Sequence, residues 1–220
     1  MRTASWVDWL EERYSHWAIP GLHRIILAVA AITWLLGFSD PHFWERLVLV
    51  GALVKDGEWW RIFTFTVVLP YMNAIQTLLT LVFTCTLGDL LESEWGSFKH
   101  NLFFLISYLA LVAVAFIDPT RLVHVLYLYT MIIVAIGTVA PNAPIYLLFP
   151  PVEIPAKIFT WVFGGLLLYW AMRGDYLEVI ASSFGYLTFF APSFISEWKA
   201  REDARRRMKK FRGEDDDKKP

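Results

Sequence analysis

Between residues 21 and 196 the chain is a succession of apolar runs, each close to bilayer thickness, separated by short clusters of charge, proline or glycine. No other feature limits the fold as much. In hydrocarbon an unpaired backbone N–H or C=O costs several kcal/mol, so only helices and closed barrels can cross. Continuous apolar runs approaching about 20 residues, without strict alternation, select helices. Six such runs are present, at about 24–38, 71–87, 101–117, 122–140, 156–172 and 176–195. The expectation is therefore an all-α polytopic membrane protein, a bundle of six transmembrane helices. The first run is short for a membrane about 30 Å thick, so Leu22 must join it or the bilayer must adapt.

The flanks divide the chain into three parts. Residues 1–20 place Trp6, Leu10 and Trp17 at helical spacing between Asp8, Glu11, Glu12 and Arg13 before Pro20 and Gly21 stop the pattern, which predicts a short interfacial helix. Residues 21–196 form the membrane domain. Residues 197–220 hold ten of the twenty Lys and Arg and predict a charged tail, helical at first and then acidic at Glu214 to Asp217. Translocating Lys and Arg is disfavoured, so this tail is expected in the cytoplasm, and six spans return the N-terminus to the same side. The connection at 41–70 then lies outside. Its mixture of apolar residues with Glu45, Arg46, Lys55, Asp56, Glu58 and Arg61 suits a half-immersed segment at the interface. The reading places the chain in a bacterial inner membrane. Eleven Trp and nine Tyr agree with interfacial anchoring. With Cys85 as its one cysteine, the chain has no internal disulfide and no Cys-based metal site. No cleavable signal is evident, and no metal, cofactor or nucleic acid is expected.

Two stretches carry more than topology. Gly57-Glu58-Trp59-Trp60-Arg61-Ile62-Phe63-Thr64 resembles the Trp-Arg motif in the first loop of the rhomboid superfamily, and Gly88, Glu92 and Gly96 resemble that superfamily's G-x-x-x-E-x-x-x-G turn after the second span. Both occur in the order and separation of that family, and the Pro-rich stretch 141–155 resembles its loop between the fourth and fifth spans. The resemblance implies a rhomboid-like bundle in which Trp60, Arg61, Gly88, Glu92 and Gly96 are scaffold. A planar guanidinium such as that of Arg61 has five donors with which to hold loop carbonyls and carboxylates together. The bland reading of all these residues is loop architecture, and it is preferred.

Active rhomboids use a serine on the fourth span, in G-x-S-G, with a general-base histidine on the sixth and an oxyanion-stabilising His and Asn on the second. In this chain the corresponding positions fall on Gln76 and Thr80 in the second span, near Leu126 in the fourth and on Ser182 in the sixth. No serine lies between Thr120 and Ala140, and no histidine lies in the sixth span. The chain thus resembles an inactive rhomboid, or pseudoprotease, derlin-like in logic. The expected function is to bind or handle other transmembrane segments, with membrane lipid and transmembrane client proteins as partners. Gln76, Thr80, His124, Ser182 and Ser183 would offer hydrogen bonds to a client if they converge. Two alternatives stand beside this reading. One is an intramembrane serine protease with an exchanged dyad of His124 and Ser182; the other is a small-molecule transporter. Against the latter, Asp89, Glu92, Asp175 and Glu178 fall at span ends rather than at mid-membrane, and neither Pro70 nor Pro192 breaks a span there.

Overall fold

The computed structural model describes residues 4–40, 42–69, 73–146 and 153–211. Pro41, Pro70, residues 147–152 of the Pro-rich stretch and the acidic Glu214 to Asp217 lie outside them. The fold is all-helical apart from two short strand pairs. Helix α1 spans Ser5–Tyr14, α2 Leu22–Leu36, α3 Gly51–Lys55, α4 Arg61–Thr64, α5 Ala74–Trp95, α6 Ser97–Ile117, α7 Leu126–Val139, α8 Ala156–Trp170 and α9 Tyr176–Phe211. Strand β1 (Leu49–Val50) pairs antiparallel with β2 (Leu122–Val123), and β3 (Pro144–Tyr146) with β4 (Glu153–Pro155).

Among the described residues three helical segments are long and apolar enough to cross a membrane: Ala74–Trp95, Ser97–Ile117 and Ala156–Met208. A fourth is reached if Ser5–Trp17 and Leu22–Leu36, bent by 64°, count as one. The longest of these segments is not one straight rod. Gly174 takes φ 109° between α8 and α9, a conformation that favours glycine, so Arg173-Gly174-Asp175 forms a turn between two helices.

The packing is organised around α7. Its residues from Tyr127 to Gly137 are buried without interruption, and α5, α8 and α9 lie against it. The other long helices bury one face and leave the opposite one apolar and exposed, as at Ile32 on α2, Ile75 on α5, Leu109 on α6, Trp161 on α8 and Leu187 on α9. An inside and an outside that are both apolar suit a lipid solvent and not an aqueous one. Small residues set the closest approaches. A Cβ on Gly185 of α9 would collide with Ser107 Oγ of α6, and one on Gly137 of α7 would collide with Thr160 of α8. Without a hydrophobic drive between helices in lipid, such backbone proximity is what supplies contact area.

Helix boundaries differ from the sequence expectation at two informative places: the run expected from 122 becomes helical only at Leu126, because Leu122 and Val123 pair with β1, and the second lies at the end of α5. The stretch from Gly88 to Gly96 is not a turn as a whole. Helix α5 runs through Gly88, Asp89 and Glu92 to Trp95, because Leu87, Leu91 and Trp95 continue its buried stripe and nothing between them breaks the helix. Only Gly96, at φ 80°, turns the chain into α6. The predicted N-terminal helix is present as α1, and it is docked: Ala4 N–H donates to the Phe189 carbonyl at 3.1 Å, and Lys99 pairs with Asp8 at 2.8 Å and Glu11 at 3.1 Å. Helix α9 continues through Pro192 into the basic tail as far as Phe211.

Candidate functional site

Among the described residues no hydrogen bond joins Gln76, His124, Ser182 and Ser183 to one another. Gln76 is exposed at the start of α5, where its backbone N–H donates to Asn73 Oδ1 at 2.9 Å and its side chain accepts from Asn73 N, completing a capping box. Ser182 is fully buried on α9 and its hydroxyl donates to the Val179 carbonyl at 3.1 Å. The Ser183 hydroxyl faces Met131 Sδ at 3.9 Å. His124 lies ahead of α7 rather than on it, and among the described residues no hydrogen bond joins it to Ser182. Backbone carbonyls one turn away satisfy serine hydroxyls locally, which a linear motif cannot reveal.

Thr80 and Leu126 do meet. Both line a cavity of about 310 Å³ between α5, α7 and α8, closed by Phe83, Tyr129, Phe163 and Trp170. A second cavity of about 330 Å³ shares Thr80, Phe83 and Phe163 with the first and is bounded by Leu79, Val82 and Thr86 of α5, Phe159 of α8, and Ile145 and Tyr146. Leu79 and Val82 are exposed on the outer surface, so this space opens sideways through the seam between α5 and α8. Across the seam the contact is aromatic: Phe83 lies 5.1 Å from the Phe159 ring and 6.3 Å from the Phe163 ring, centroid to centroid.

One polar network holds the first loop. The Arg61 side chain, 4% exposed, donates to the carbonyls of Glu45 at 2.6 Å and Val48 at 2.9 Å and forks onto the Glu58 carboxylate. Trp60 Nε1 donates to the Arg46 carbonyl at 3.2 Å. The loop is anchored to the helices by Tyr108 on α6, whose hydroxyl donates to the Ile62 carbonyl, and by Tyr129 on α7, whose hydroxyl donates to the Thr66 carbonyl, each at 2.9 Å. At the same end of the bundle Arg121, between α6 and α7, reaches Glu178 at 3.1 Å, the Gly174 carbonyl at 3.1 Å and Asp118 at 3.2 Å. Glu178 is only 2% exposed, so Arg121 is the charge that makes its burial tolerable. In this connection the Thr120 hydroxyl and Arg121 hold the Asp118 carboxyl below its ordinary range, and the hydrogen bond to Asp118 raises the already high pKa of Arg121.

A second network lies at the opposite end, where α2, α5 and α6 meet. Glu92 accepts from Gly21 N at 2.9 Å and from the Ser97 hydroxyl at 2.5 Å. His23, 1% exposed, sets Nε2 2.8 Å from Asp89 Oδ1 and Nδ1 3.4 Å from Glu92 Oε2. Arg24 Nε donates to the same Asp89 oxygen at 2.5 Å. The His100 ring packs edge-on against that of His23 at 4.8 Å, 1% exposed, and neither of its nitrogens makes a hydrogen bond of good geometry, with the Asn101 side chain beside it. Gly88 opposes His23: a Cβ there would approach the imidazole Cδ2 at 2.5 Å. So Gly88, Glu92 and Gly96 do three different things, making room, holding the N-terminus of α2, and turning the chain.

His23, Asp89 and His100 were missed by the sequence reading, as was the Arg121–Glu178 pair. The available signal was the presence of two histidines and two carboxylates at the ends of apolar runs, where burial is costly unless they are paired. No protein-family model matches the chain, and no curated protein matches it in sequence.

Proposed function

We propose that the chain is a six-span, rhomboid-like protein of a bacterial inner membrane, with both termini cytoplasmic, that binds transmembrane segments of other proteins and cleaves none of them. The observation carrying this reading is the laterally open apolar space at the α5–α8 seam, lined by Thr80 and Thr86 among aliphatic and aromatic side chains. A partly polar client helix finds there hydroxyl partners that bulk lipid lacks, each worth about 1 kcal/mol. Peptide hydrolysis would need an activated nucleophile. Leu126 cannot act as one, and Ser182 bonds to its own helix without a histidine beside it. The six-span arrangement is supported by the alternation of ends: Gly21, Glu92 and Ser97 meet at one end of the bundle, and Arg121, Gly174 and Glu178 meet at the other. The exposed Arg205, Arg206 and Arg207 on the continuation of α9 suit anionic lipid head groups at the cytoplasmic face.

The test is a photocrosslinking amino acid at Val82, on the seam, against the same label at Ile32, on the exposed face of α2. Val82 should capture transmembrane proteins in cells and Ile32 only lipid, and Thr80→Leu, which fills the space, should reduce the capture at Val82. Equal products from both positions would refute the reading. So would cleavage of a transmembrane substrate that Ser182→Ala abolishes.

A further inference from the structure

We infer that His23, Glu92 and His100 form a binding site for a divalent transition metal, with Zn2+ as the ion best matched, at the end of the bundle where α2, α5 and α6 meet. One ligand atom from each of the three side chains lies within 4.8 Å of the other two. The separation of His23 Nδ1 from Glu92 Oε2, 3.4 Å, is long for a hydrogen bond. It equals the edge of a tetrahedron whose metal–ligand bonds are about 2.0–2.1 Å, because two such bonds at the tetrahedral angle place their ligand atoms about 3.3–3.4 Å apart. With the His23 proton on Nε2, the chain brings two acceptors face to face at the distance a shared zinc ion would set.

The proton arrangement points the same way. His23 Nε2 lies 2.8 Å from Asp89, and an imidazole that donates from Nε2 presents its Nδ1 lone pair to the Glu92 carboxylate. Two lone pairs facing each other in a buried site repel unless a cation lies between them. His100 adds the independent observation. It is 1% exposed, neither of its nitrogens makes a hydrogen bond of good geometry although the Asn101 side chain is near, and its ring lies against His23. Buried polar groups are nearly always satisfied, so an imidazole left without a good hydrogen bond among ligand-type residues marks a missing partner. A metal ion satisfies His23 Nδ1, His100 and Glu92 together.

The surroundings are those that tune a metal site. Ligating histidines commonly donate their second nitrogen to a carboxylate, and ligating carboxylates are themselves hydrogen-bonded. Asp89 serves His23 in this way and is held by Arg24, while Gly21 N and the Ser97 hydroxyl orient Glu92. Gly88 leaves the room His23 needs to stand in this orientation. Two His and one Glu give three protein ligands, which leaves a fourth position of a tetrahedral ion open. The sequence expectation of no metal rested on the cysteine count and did not weigh these residues.

The experiment uses the full chain in detergent, purified without a polyhistidine tag, stripped with a chelator and titrated with Zn2+ and, for spectroscopy, Co2+. One equivalent should bind, with the visible bands of tetrahedral Co2+ and X-ray absorption distances for nitrogen and oxygen ligands. His100→Ala should abolish stoichiometric binding. Asp89→Asn, which keeps the ligands and the side-chain shape, should weaken it roughly 10–100-fold. His42→Ala, at an exposed histidine elsewhere, should leave it unchanged. Because His100→Ala could unfold the chain, the Co2+ spectrum of the unsubstituted protein decides independently. Its absence, or binding that survives His100→Ala in folded protein, overturns the proposal. So does a nitrogen NMR spectrum showing His23 doubly protonated and unaltered by added zinc, since an imidazolium would then account for the Glu92 contact.

Discussion

Removing the Arg61 guanidinium tests whether the first loop is a structural part of the bundle or a mere connection. The side chain is 4% exposed and supplies donors to two backbone carbonyls and one carboxylate. In Arg61→Ala the carbonyls of Glu45 and Val48 lose a charged donor in a place water reaches poorly, at about 1.5–3 kcal/mol each. Glu58 adds little, because its side chain is 35% exposed and water can take over. The sum is about 3–6 kcal/mol, a large share of an ordinary stability of about 5–15 kcal/mol. Arg61→Lys should recover about half of the loss, since one ammonium reaches the carboxylate or the carbonyls but lacks the planar fork that takes both. The assay is unfolding by SDS in mixed micelles, followed by tryptophan fluorescence, with Trp59 and Trp60 as local reporters beside the substitution. Limited proteolysis should show earlier cleavage within residues 42–69, because Tyr108 and Tyr129 then hold a loop that has lost its internal tie. An Arg61→Ala protein that unfolds within about 1 kcal/mol of the parent and resists proteolysis equally would refute the reasoning.

Two further substitutions probe the helix contacts. Gly185→Leu forces α6 and α9 apart, because even the first side-chain carbon meets Ser107 Oγ and lies 3.2 Å from the Phe103 carbonyl. It should cost at least about 1–3 kcal/mol in the same unfolding assay, with Gly185→Ala intermediate. Arg121→Ala strands the Glu178 carboxylate in a site 2% exposed and should cost about 2–3 kcal/mol, below the full value for a wholly buried pair because Arg121 is itself partly solvated. Adding Glu178→Gln should restore part of that loss, and a double-mutant cycle without coupling would refute the pairing.

The helices were legible from apolar length without any knowledge of packing, although α2 and α7, at 15 and 14 residues, are shorter than the runs a bilayer of ordinary thickness asks for. Their ends were less so. Nothing local distinguishes Leu87-Gly88-Asp89-Leu90 as helix rather than turn, since the outcome depends on whether Leu91 and Trp95 find a core to enter, and they do. The role of α1 depends on Lys99, far along the chain, which provides the counter-charge for Asp8 and Glu11. The Trp-Arg stretch announced a guanidinium beside a loop, and Arg61 is buried among the carbonyls of Glu45 and Val48. The histidine cluster stayed hidden for a different reason. His23 and His100 lie on separate helices and acquire meaning only where α2, α5 and α6 meet. The motif match in the sixth run pointed instead to Ser182, whose hydroxyl donates within its own helix.

The distribution of polar ties indicates which part of the bundle is least firmly held. Buried or partly buried charges join α1 to α6, α2 to α5, and the α6–α7 connection to α9. Among the described residues no ion pair reaches α8. It is held to α7 by close packing at Gly137, and it faces α5 through the Phe83, Phe159 and Phe163 rings. An aromatic pair is worth about 0.5–1.5 kcal/mol beyond its area, whereas separating a buried ion pair costs about 3–5 kcal/mol. The α5–α8 seam is therefore the least costly place to part the bundle, and the cavities already lie along it. Moving α8 leaves α2, α5 and α6 in place, so the metal cluster at their junction is not disturbed by an occupant of the seam. The proposed client seam and the proposed metal cluster thus lie in separate parts of the fold, and a substitution that removes one is expected to leave the other intact.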